Sequence, residues 1–410
     1  MEPYGQVAAT ISFRDPIFLG GSAIWGKWRM SVRIVGAGSA GINVLDEWIL
    51  LSDSPEGSFA CDGELSAVEG SLAGEKLLLA PNLVGGLGCF GSRDLAWRMV
   101  GQENQRLESL LTGCSSLLIL TGLAGATGAT VAEALSLKSV EREIPTAIFA
   151  FLPFPFEAEE RRKAAEIARD EFPAEASLFL FSTAPVVQNG STPGVADVRR
   201  RLRDLQAGVG QWVDLWREIA SGGVRSVSLE GGADSSPFSA GRRVEDCRVF
   251  WEKGPRADGS PLALFERSDF RQAAESADYC VGYFETDEEI FGMQDEAREK
   301  LAQLLPRGTP VCVLGRSPAR PMRNHGLFLF GRCVSRLQKQ DLSEEARNEP
   351  MRTSSELPVE AAVGVQREGR RVSFPAESAP FAKTTATMHK GENLDIPAFR
   401  RRSGSRFAGE

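Results

Sequence analysis

Three glycine-rich turns, each placed between a strand-like and a helix-like segment, carry the residues with the clearest chemistry. The first follows the apolar run Val32–Val35 and has glycines at positions 36, 38 and 41. The second is GGLGCFGS, Gly85–Ser92, and the third lies within LLILTGLAGATGATVAEAL, Leu117–Leu135. Small residues let backbone N–H groups close around phosphate oxygens, and a helix that begins at the turn adds positive potential. Three such turns predict a polyphosphate held by backbone.

Two other interpretations of these turns stay open at this point. The turns lack the Gly-Lys-Ser/Thr of a Walker A loop, but the first fits the dinucleotide fingerprint G-x-G-x-x-G. That fingerprint needs an acidic residue at the end of the next strand, and Asp62 follows the candidate strand Ser58–Cys61. An NAD(P)-dependent oxidoreductase is therefore one alternative. The other is that the turns only connect strands to helices, with Asp62 capping the loop after its strand.

Composition narrows the classes of function. The chain has 410 residues and a formal net charge of −8, which argues against a general nucleic-acid binder. Its seven cysteines form no CxxC pair, and its two histidines, His325 and His389, are too few for a multi-histidine metal site. We therefore expect no protein-held metal centre. No window has the roughly 18 apolar residues of a membrane-spanning helix.

The elements that must position the turns alternate between strands and helices. Apolar strands are expected at Val32–Val35, Leu117–Leu120, Thr146–Leu152 and Leu178–Phe181, with helical patterns between them. This alternation predicts an α/β fold, a parallel Rossmann-like sheet covered by helices, with ligands at the carboxyl ends of the strands.

Six segments follow from the pattern. We expect an N-terminal extension at 1–30, with Met30 as a candidate true start, and a nucleotide-binding domain at 31–193. A long central helix at 194–219 precedes a smaller second α/β domain at 220–335, which contains an insertion. Within the central helix, Trp212 and Trp216 are one turn apart and are predicted to be core. A polar, disordered linker at 336–390 and a C-terminal peptide at 391–410 complete the chain.

The ordered set of motifs resembles the bacterial cell-division GTPase FtsZ, of the tubulin superfamily. Ala124–Thr130 resembles the family's GGGTGTG signature, and Ser39–Asn43 resembles its GGGGN turn. Gly86–Ser92 is similar to GLGAGAN, and LPFPFEAEERRK at Leu152–Lys163 is similar to RPFxFEGRKR. LDIPAFRRR at Leu394–Arg402 resembles the family's C-terminal D-x-P-x-F peptide.

The resemblance implies a nucleotide site, a catalytic loop and a partner-binding tail. The implied ligand is GTP or GDP, with Mg²⁺ held mainly by the nucleotide rather than by the protein. The implied nucleotide-binding residues are Gly38, Ser39, Ala40, Gly41, Ile42, Asn43, Gly88, Gly125, Ala126, Thr127, Gly128, Glu157, Arg161 and Thr183. The implied partner-binding residues of the tail are Asp395, Ile396, Pro397, Phe399, Arg400 and Arg401.

The sequence departs from the family where the base is recognised. Thr183 stands where the family has its guanine-facing Asn, and an ungapped comparison puts Leu202 at the position of the purine-reading Asp. Asp204 is near in sequence, but two residues along a helix point to another face.

The catalytic loop departs as well. With Ser268 as a helix cap, Ala263, Phe265 and Ser268 occupy the family's Asn and Asp positions. Glu266 and Asp269, each displaced by one residue, are the candidate catalytic carboxylates. Phosphoryl transfer depends on positioning and electrostatics, so slow or absent hydrolysis is expected.

The implied function is a GTP-binding protein that polymerises head-to-tail into filaments at the division site in the cytoplasm. Its tail would bind a membrane-tethering division protein, FtsA- or SepF-like, so that contact with the membrane is indirect. The resemblance implies no nucleic-acid partner. A nucleotide-binding scaffold with little or no hydrolysis is the first alternative.

Overall fold

The computed structural model describes residues 31–187, 195–221, 241–251, 261–285, 290–309, 311–316, 325–334, 388–389 and 392–393. The predicted extension at 1–30 and the tail residues from Leu394 onward lie outside this part of the chain. The chain divides into two units, Met1–Asn348 and Glu349–Glu410. Within the described part of the second unit, two short strands pair antiparallel at Met388–His389 and Glu392–Asn393.

A single sheet of ten strands organises the first unit. In chain order its strands are β1 (Ser31–Ala37), β2 (Ser58–Asp62), β3 (Glu75–Leu78), β4 (Cys114–Gly122), β5 (Thr146–Phe151), β6 (Ser177–Phe181), β7 (Arg243–Trp251), β8 (Tyr279–Glu285), β9 (Val311–Arg316) and β10 (His325–Cys333). Their order in the sheet is β3-β2-β1-β4-β5-β6-β7-β10-β8-β9. Neighbours are parallel except where β10 meets β7 and β8. The first six strands follow the doubly wound order in which ligands bind at the strand-order reversal.

Helices lie on both faces of this sheet. They are α1 (Gly38–Ser52), α2 (Leu65–Gly70), α3 (Pro81–Val84), α4 (Arg93–Gln102), α5 (Asn104–Ser109), α6 (Ala126–Glu141), α7 (Glu159–Glu171), α8 (Ala184–Val187), α9 (Val195–Ala220), α10 (Ser268–Glu275) and α11 (Ile290–Leu304). A short 3₁₀ helix, Pro261–Glu266, precedes α10. The predicted mixed α/β fold with a large, mostly parallel sheet is confirmed.

The central strand β4 shows how the sheet separates two cores. Leu117 and Ile119 pack into one cluster with residues of α4, α6 and α7. Leu118 and Leu120 pack into the other with residues of α1 and α9, including Trp212. Alternate side chains of a strand point to opposite faces, so a strand covered on both faces is apolar throughout. Trp212 and Trp216 are buried in the second cluster, and their predicted core role is confirmed.

The strands of the predicted second domain extend the sheet of the first. β6 pairs in parallel with β7, through Leu178 with Arg243 and Phe181 with Cys247. The sequence pattern did not predict β7, because four of its nine residues, RVEDCRVFW, are charged and its apolar residues do not alternate regularly with polar ones. A third cluster, which includes Phe270 and Phe328, packs α10 and α11 against β8 and β10.

Candidate functional site

A cavity of about 450 Å³ opens at the carboxyl edge of the sheet. Its wall includes the last residue of β1, Ala37, the last of β4, Gly122, and the last of β5, Phe151. Ala37 pairs with Thr121 of β4 and with Cys61 of β2, so these strands end side by side. The ligand edge predicted from the strand–helix alternation is where the cavity lies.

Most of the residues implied for nucleotide binding line this cavity. They are Gly38, Ser39, Ala40, Asn43, Gly88, Gly125, Ala126, Thr127, Gly128, Glu157, Arg161 and Thr183. They come from five segments that are far apart in sequence: the turns after β1, β4 and β6, the Gly85–Ser92 turn, and the stretch that runs from Glu157 into α7.

Gly41 and Ile42 lie beneath the cavity wall rather than on it. A methyl group at Gly41 would meet the Leu120 carbonyl oxygen at 2.0 Å, and Ile42 is only 2% exposed. The absence of a side chain at Gly41 therefore lets α1 lie directly on β4. Neither residue presents a side chain to the cavity, and the binding of nucleotide by Gly41 and Ile42 stays a prediction.

The first and third turns touch each other through their glycines. Gly38 has a φ of +70°, which favours glycine, and a methyl group there would meet the Gly128 Cα at 2.7 Å. A methyl group at Gly128 would in turn meet the Ala37 carbonyl oxygen at 2.7 Å. The two helix starts are therefore held together, and both open into the cavity.

The N-termini of α1 and α6 have no side-chain cap. Their cap residues, Ala37 and Gly125, accept no bond through a side chain, and neither helix has an acidic residue in its first turn. By contrast, α4 is capped by Ser92 and α7 begins with Glu159 and Glu160. The first N–H groups of a helix have no partner inside the helix and carry partial positive charge. Two such termini facing one cavity form a site for an anion.

The Gly85–Ser92 turn closes one side of the cavity. Gly88 has a φ of +75°, and Phe90 adopts a φ of +49°, a conformation that a bulky residue rarely takes. Phe90 is 79% exposed at the rim, whereas Cys89 is buried. Burial raises the pKa of the Cys89 thiol, which is hydrogen-bonded to Thr127. The turn thus contacts the third turn across the cavity.

Two carboxylates, those of Asp62 and Glu64, lie beside the first turn and accept hydrogen bonds from the Ser39 hydroxyl. Asp62, only 3% exposed, accepts a hydrogen bond from the Ser39 hydroxyl at 2.9 Å and one from the Glu64 N–H at 3.2 Å. Burial raises the pKa of Asp62 above its usual range, and these hydrogen bonds oppose the rise. The bond to the Glu64 N–H shows that Asp62 caps the turn after β2. The residues that the structure describes contain no group of three or more metal-ligating side chains.

The other end of the cavity carries an ion pair and a hydroxyl. Glu157 accepts a hydrogen bond from the Phe154 N–H at 2.8 Å and pairs with Arg161 at 2.6 Å. The Thr183 hydroxyl donates to the Pro153 carbonyl oxygen at 3.0 Å. Arg161 is the basic residue among the described lining residues, so backbone N–H groups supply most of the positive potential.

The central helix α9 contributes two side chains to the cavity wall, Leu202 and Gln206. They are four residues apart and lie on one helix face, whereas Asp204 does not line the cavity. The helical spacing predicted this for Asp204. Gln206 was missed by sequence reasoning, although its position one turn after Leu202 could have identified it.

Glu266 and Asp269 do not line the cavity. The side chain of Glu266 is 78% exposed and lies 3.2 Å from Arg271. Asp269 pairs with Arg267 at 2.6 Å, and this hydrogen bond holds the pKa of Asp269 below its usual range. Ser268 is the first residue of α10 rather than its cap, because Arg267 has the extended conformation of a cap residue. The catalytic assignment of the two carboxylates stays a prediction.

Part of the chain is similar to a known protein family. Residues 31–181 match the model of the Tubulin/FtsZ family, GTPase domain. The cell division protein FtsZ of Pseudomonas aeruginosa is 26% identical over 137 residues, 33% of this chain and 34% of that protein. The FtsZ of Methanothermobacter thermautotrophicus is 26% identical over 152 residues, 37% of this chain and 40% of that protein. The match therefore spans little more than a third of the curated relatives.

Solved structures share the fold over a larger part of the chain. The empty FtsZ dimer of M. jannaschii superposes with a TM-score of 0.58 at 16% identity, covering 75% of this chain and 89% of that one. CetZ2 from Haloferax volcanii, a GTPgS-bound protofilament, gives a TM-score of 0.56 at 15% identity, covering 78% and 98%. The chain therefore has the fold of FtsZ and CetZ, and its residues 31–181 are similar to the GTPase domain of the Tubulin/FtsZ family.

Among the helices that the structure describes, none combines the length and the apolar character needed to cross a bilayer.

Proposed function

We propose that the protein binds GTP and GDP in the cavity at the carboxyl edge of the sheet. The observation that carries this proposal is the pair of uncapped helix N-termini, α1 and α6, held against each other by Gly38 and Gly128. Their free N–H groups suit the phosphate chain. The match to the family's GTPase domain supports a guanine nucleotide over the NAD(P) alternative.

Mg²⁺ fits this site only when the nucleotide's phosphates bind it. Asp62 and Glu64 approach the first turn, but Asp62 already accepts from Ser39 and from the Glu64 N–H, and Glu64 accepts from Ser66. Mg²⁺ commonly keeps several waters and binds mainly through phosphates. We therefore assign its binding to the nucleotide, where it would neutralise phosphate charge.

The wider proposal is a cytoskeletal role. The chain would stack head-to-tail, so that the second α/β domain of one subunit covers the nucleotide of the next subunit. Such a contact does not close into a ring and gives filaments. The protofilament form of the CetZ2 neighbour supports self-association. We propose a place in the cytoplasm at the midcell division site, with residues 395–401 binding an FtsA- or SepF-like membrane tether.

A nucleotide-binding scaffold with little hydrolysis is the second candidate. It is favoured by the exposed ion pairs of Glu266 with Arg271 and of Asp269 with Arg267. A carboxylate held by an adjacent guanidinium is a weaker group for positioning water. Hydrolysis by this protein is therefore expected to be slow.

The test introduces a negative charge at the start of α6. Ala126 lines the cavity at the first position of that helix. Ala126→Asp stabilises a helix start by about 0.3–1 kcal/mol, so the protein should remain folded. At roughly 5 Å from a phosphate and an effective dielectric of about 20, the same charge costs about 3 kcal/mol, or more than a hundredfold in affinity.

Calorimetry with GTP, GDP and NADH measures this change. The matched control is Ala126→Asn, which has nearly the same size without the charge and should keep most of the wild-type affinity. Equal GTP binding by both variants would contradict a phosphate site at α6. Binding of NADH but not GTP by the wild type would favour the oxidoreductase. Sedimentation with GTP against GDP tests the filament.

A further inference from the structure

One amide of the cavity wall, that of Gln206, has no hydrogen-bond partner among the residues that the structure describes. Gln206 is 8% exposed and lines the cavity. The amide atoms of Gln206 are not among the polar atoms that are both buried and unpartnered, so the amide is open to the cavity. It therefore offers a donor and an acceptor to a ligand in the cavity.

Gln206 lies on a helix that is separate from the turns suited to phosphate. The uncapped termini that suit phosphate follow β1 and β4, whereas Thr183 follows β6. Three strand spacings separate β1 from β6, a distance of about 14 Å. The lining residues of α9, Leu202 and Gln206, belong to neither phosphate turn.

The packing of α9 on α1 brings Gln206 to the cavity wall. A methyl group at Gly210 would lie 3.3 Å from the Trp48 Cα, so the two helices make close contact there. Gln206 lies one turn before Gly210, and Asn43 lies about one turn before Trp48. Both Gln206 and Asn43 line the cavity, which places them on the same side of this helix contact.

The other side chains near Gln206 have few free hydrogen-bonding groups for a nucleobase. Leu202 has no polar atom, and the Thr183 hydroxyl already donates to the Pro153 carbonyl. The carboxylates of the lining residues are elsewhere: Asp62 and Glu64 follow β2, and Glu157 is paired with Arg161. Two lining amides have no hydrogen bond among the described residues, Asn43 and Gln206. Asn43 lies in α1 directly after the first turn, so Gln206 is the amide that lies outside the phosphate turns.

We propose that Gln206 hydrogen-bonds the nucleobase, and that the site accepts adenine as well as guanine nucleotides. This proposal rests on nucleotide binding in the cavity. An amide has both a donor and an acceptor, so it can pair with O6 and N1–H of guanine or with N6–H and N1 of adenine. A carboxylate only accepts, and so pairs with the two donors of guanine but not with adenine N1.

The experiment measures the ratio of GTP to ATP affinity by calorimetry on the full chain. The wild type should bind the two within about tenfold, because the amide serves both bases. Gln206→Glu should shift the ratio toward GTP by about tenfold or more. Any repulsion between the new carboxylate and the phosphates affects both triphosphates alike and cancels in the ratio. Gln102→Glu, the same change at an exposed residue off the cavity, should leave the ratio unchanged.

A second variant keeps the test decisive if the buried glutamate prevents folding. Gln206→Met is similar in volume and should weaken both nucleotides by about five- to fiftyfold. One result would contradict the proposal and leave the phosphate site intact: Gln206→Met binds GTP and ATP as tightly as the wild type, while Ala126→Asp abolishes binding. Gln206 would then not contact the nucleobase. If the wild type prefers GTP more than a hundredfold and Gln206→Glu leaves that ratio unchanged, the proposal is also wrong. If the wild type binds neither nucleotide, the proposed function itself fails.

Discussion

Replacing Gly41 by alanine tests whether this glycine serves packing or the ligand. The added methyl group would meet the Leu120 carbonyl oxygen at 2.0 Å and its carbonyl carbon at 2.7 Å. Both atoms are backbone of the central strand β4 and cannot rotate away. Because Cβ contacts below 3.0 Å are essentially never seen, α1 must move away from β4 by about 1 Å.

The cost of this movement can be estimated. Overpacking a close-packed core costs typically about 1–3 kcal/mol, and a rigid backbone partner places Gly41→Ala near the upper end. Alanine also reduces the conformational entropy of the unfolded chain, which offsets about 0.4–1 kcal/mol of this loss of stability. A net loss of about 2 kcal/mol lowers the thermal midpoint of a domain of this size by about 4–8 °C.

The matched control is Gly101→Ala. Gly101 lies within α4, has an exposed position, and a methyl group there meets nothing within 4 Å. Alanine is favoured over glycine in a helix by about 0.5–1 kcal/mol, so this variant should be as stable as the wild type or more stable. Thermal unfolding of both variants is monitored by circular dichroism in the absence of nucleotide. A Gly41→Ala midpoint equal to that of the wild type would refute the packing argument and return Gly41 to a ligand role.

Three further outcomes are expected. Trp212 is fully buried between α9 and the sheet, so Trp212→Ala should lower the free energy of unfolding by about 3–5 kcal/mol in urea, whereas Trp97→Ala, at a partly exposed position, should cost much less. Burial raises the pKa of Asp62 in the folded protein, so the stability that its proton contributes is fully present below the ordinary carboxyl pKa and is lost as pH rises through the raised one. The urea concentration at the unfolding midpoint should therefore fall as the pH rises between these two pKa values, and Asp62→Asn should remove this part of the pH dependence. The same pH dependence in Asp62→Asn and the wild type would contradict a raised pKa at Asp62. If the wild type releases phosphate from GTP faster than buffer, Glu266→Gln with Asp269→Asn should reduce the release to background while GTP binding is kept; a wild type already at background means that the protein is a scaffold and not an enzyme.

The turns were predictable because they depend on neighbours in sequence. A strand, a set of small residues and a helix that starts at once determine a phosphate-binding turn locally. Asp204 was correctly excluded from the cavity by helical spacing alone, since two residues along a helix change the face. Strand β7 was not predictable in this way, because its pairing with β6 and β10 is set by residues far away in the chain.

The tertiary structure changed the role assigned to individual residues of the motifs. Gly41 belongs to the first turn, but its backbone lies on Leu120, so its smallness serves the contact of α1 with β4. Asp62 follows its strand as predicted, yet its bond to the Glu64 N–H makes it a loop cap. Neither contact can be inferred from spacing, because each depends on how closely two segments approach.

By itself, then, the sequence determined the alternation of strands and helices, the three glycine-rich turns and the family that their motifs resemble, all properties of contiguous stretches. Only the tertiary structure decided that the two uncapped helix starts face the same cavity and that Gln206 of α9 turns an unpaired amide into it. The physical reason is that a cavity is formed by segments brought together through burial of their apolar faces. The side chains that line it are therefore selected by packing over the whole sheet, and not by any one motif.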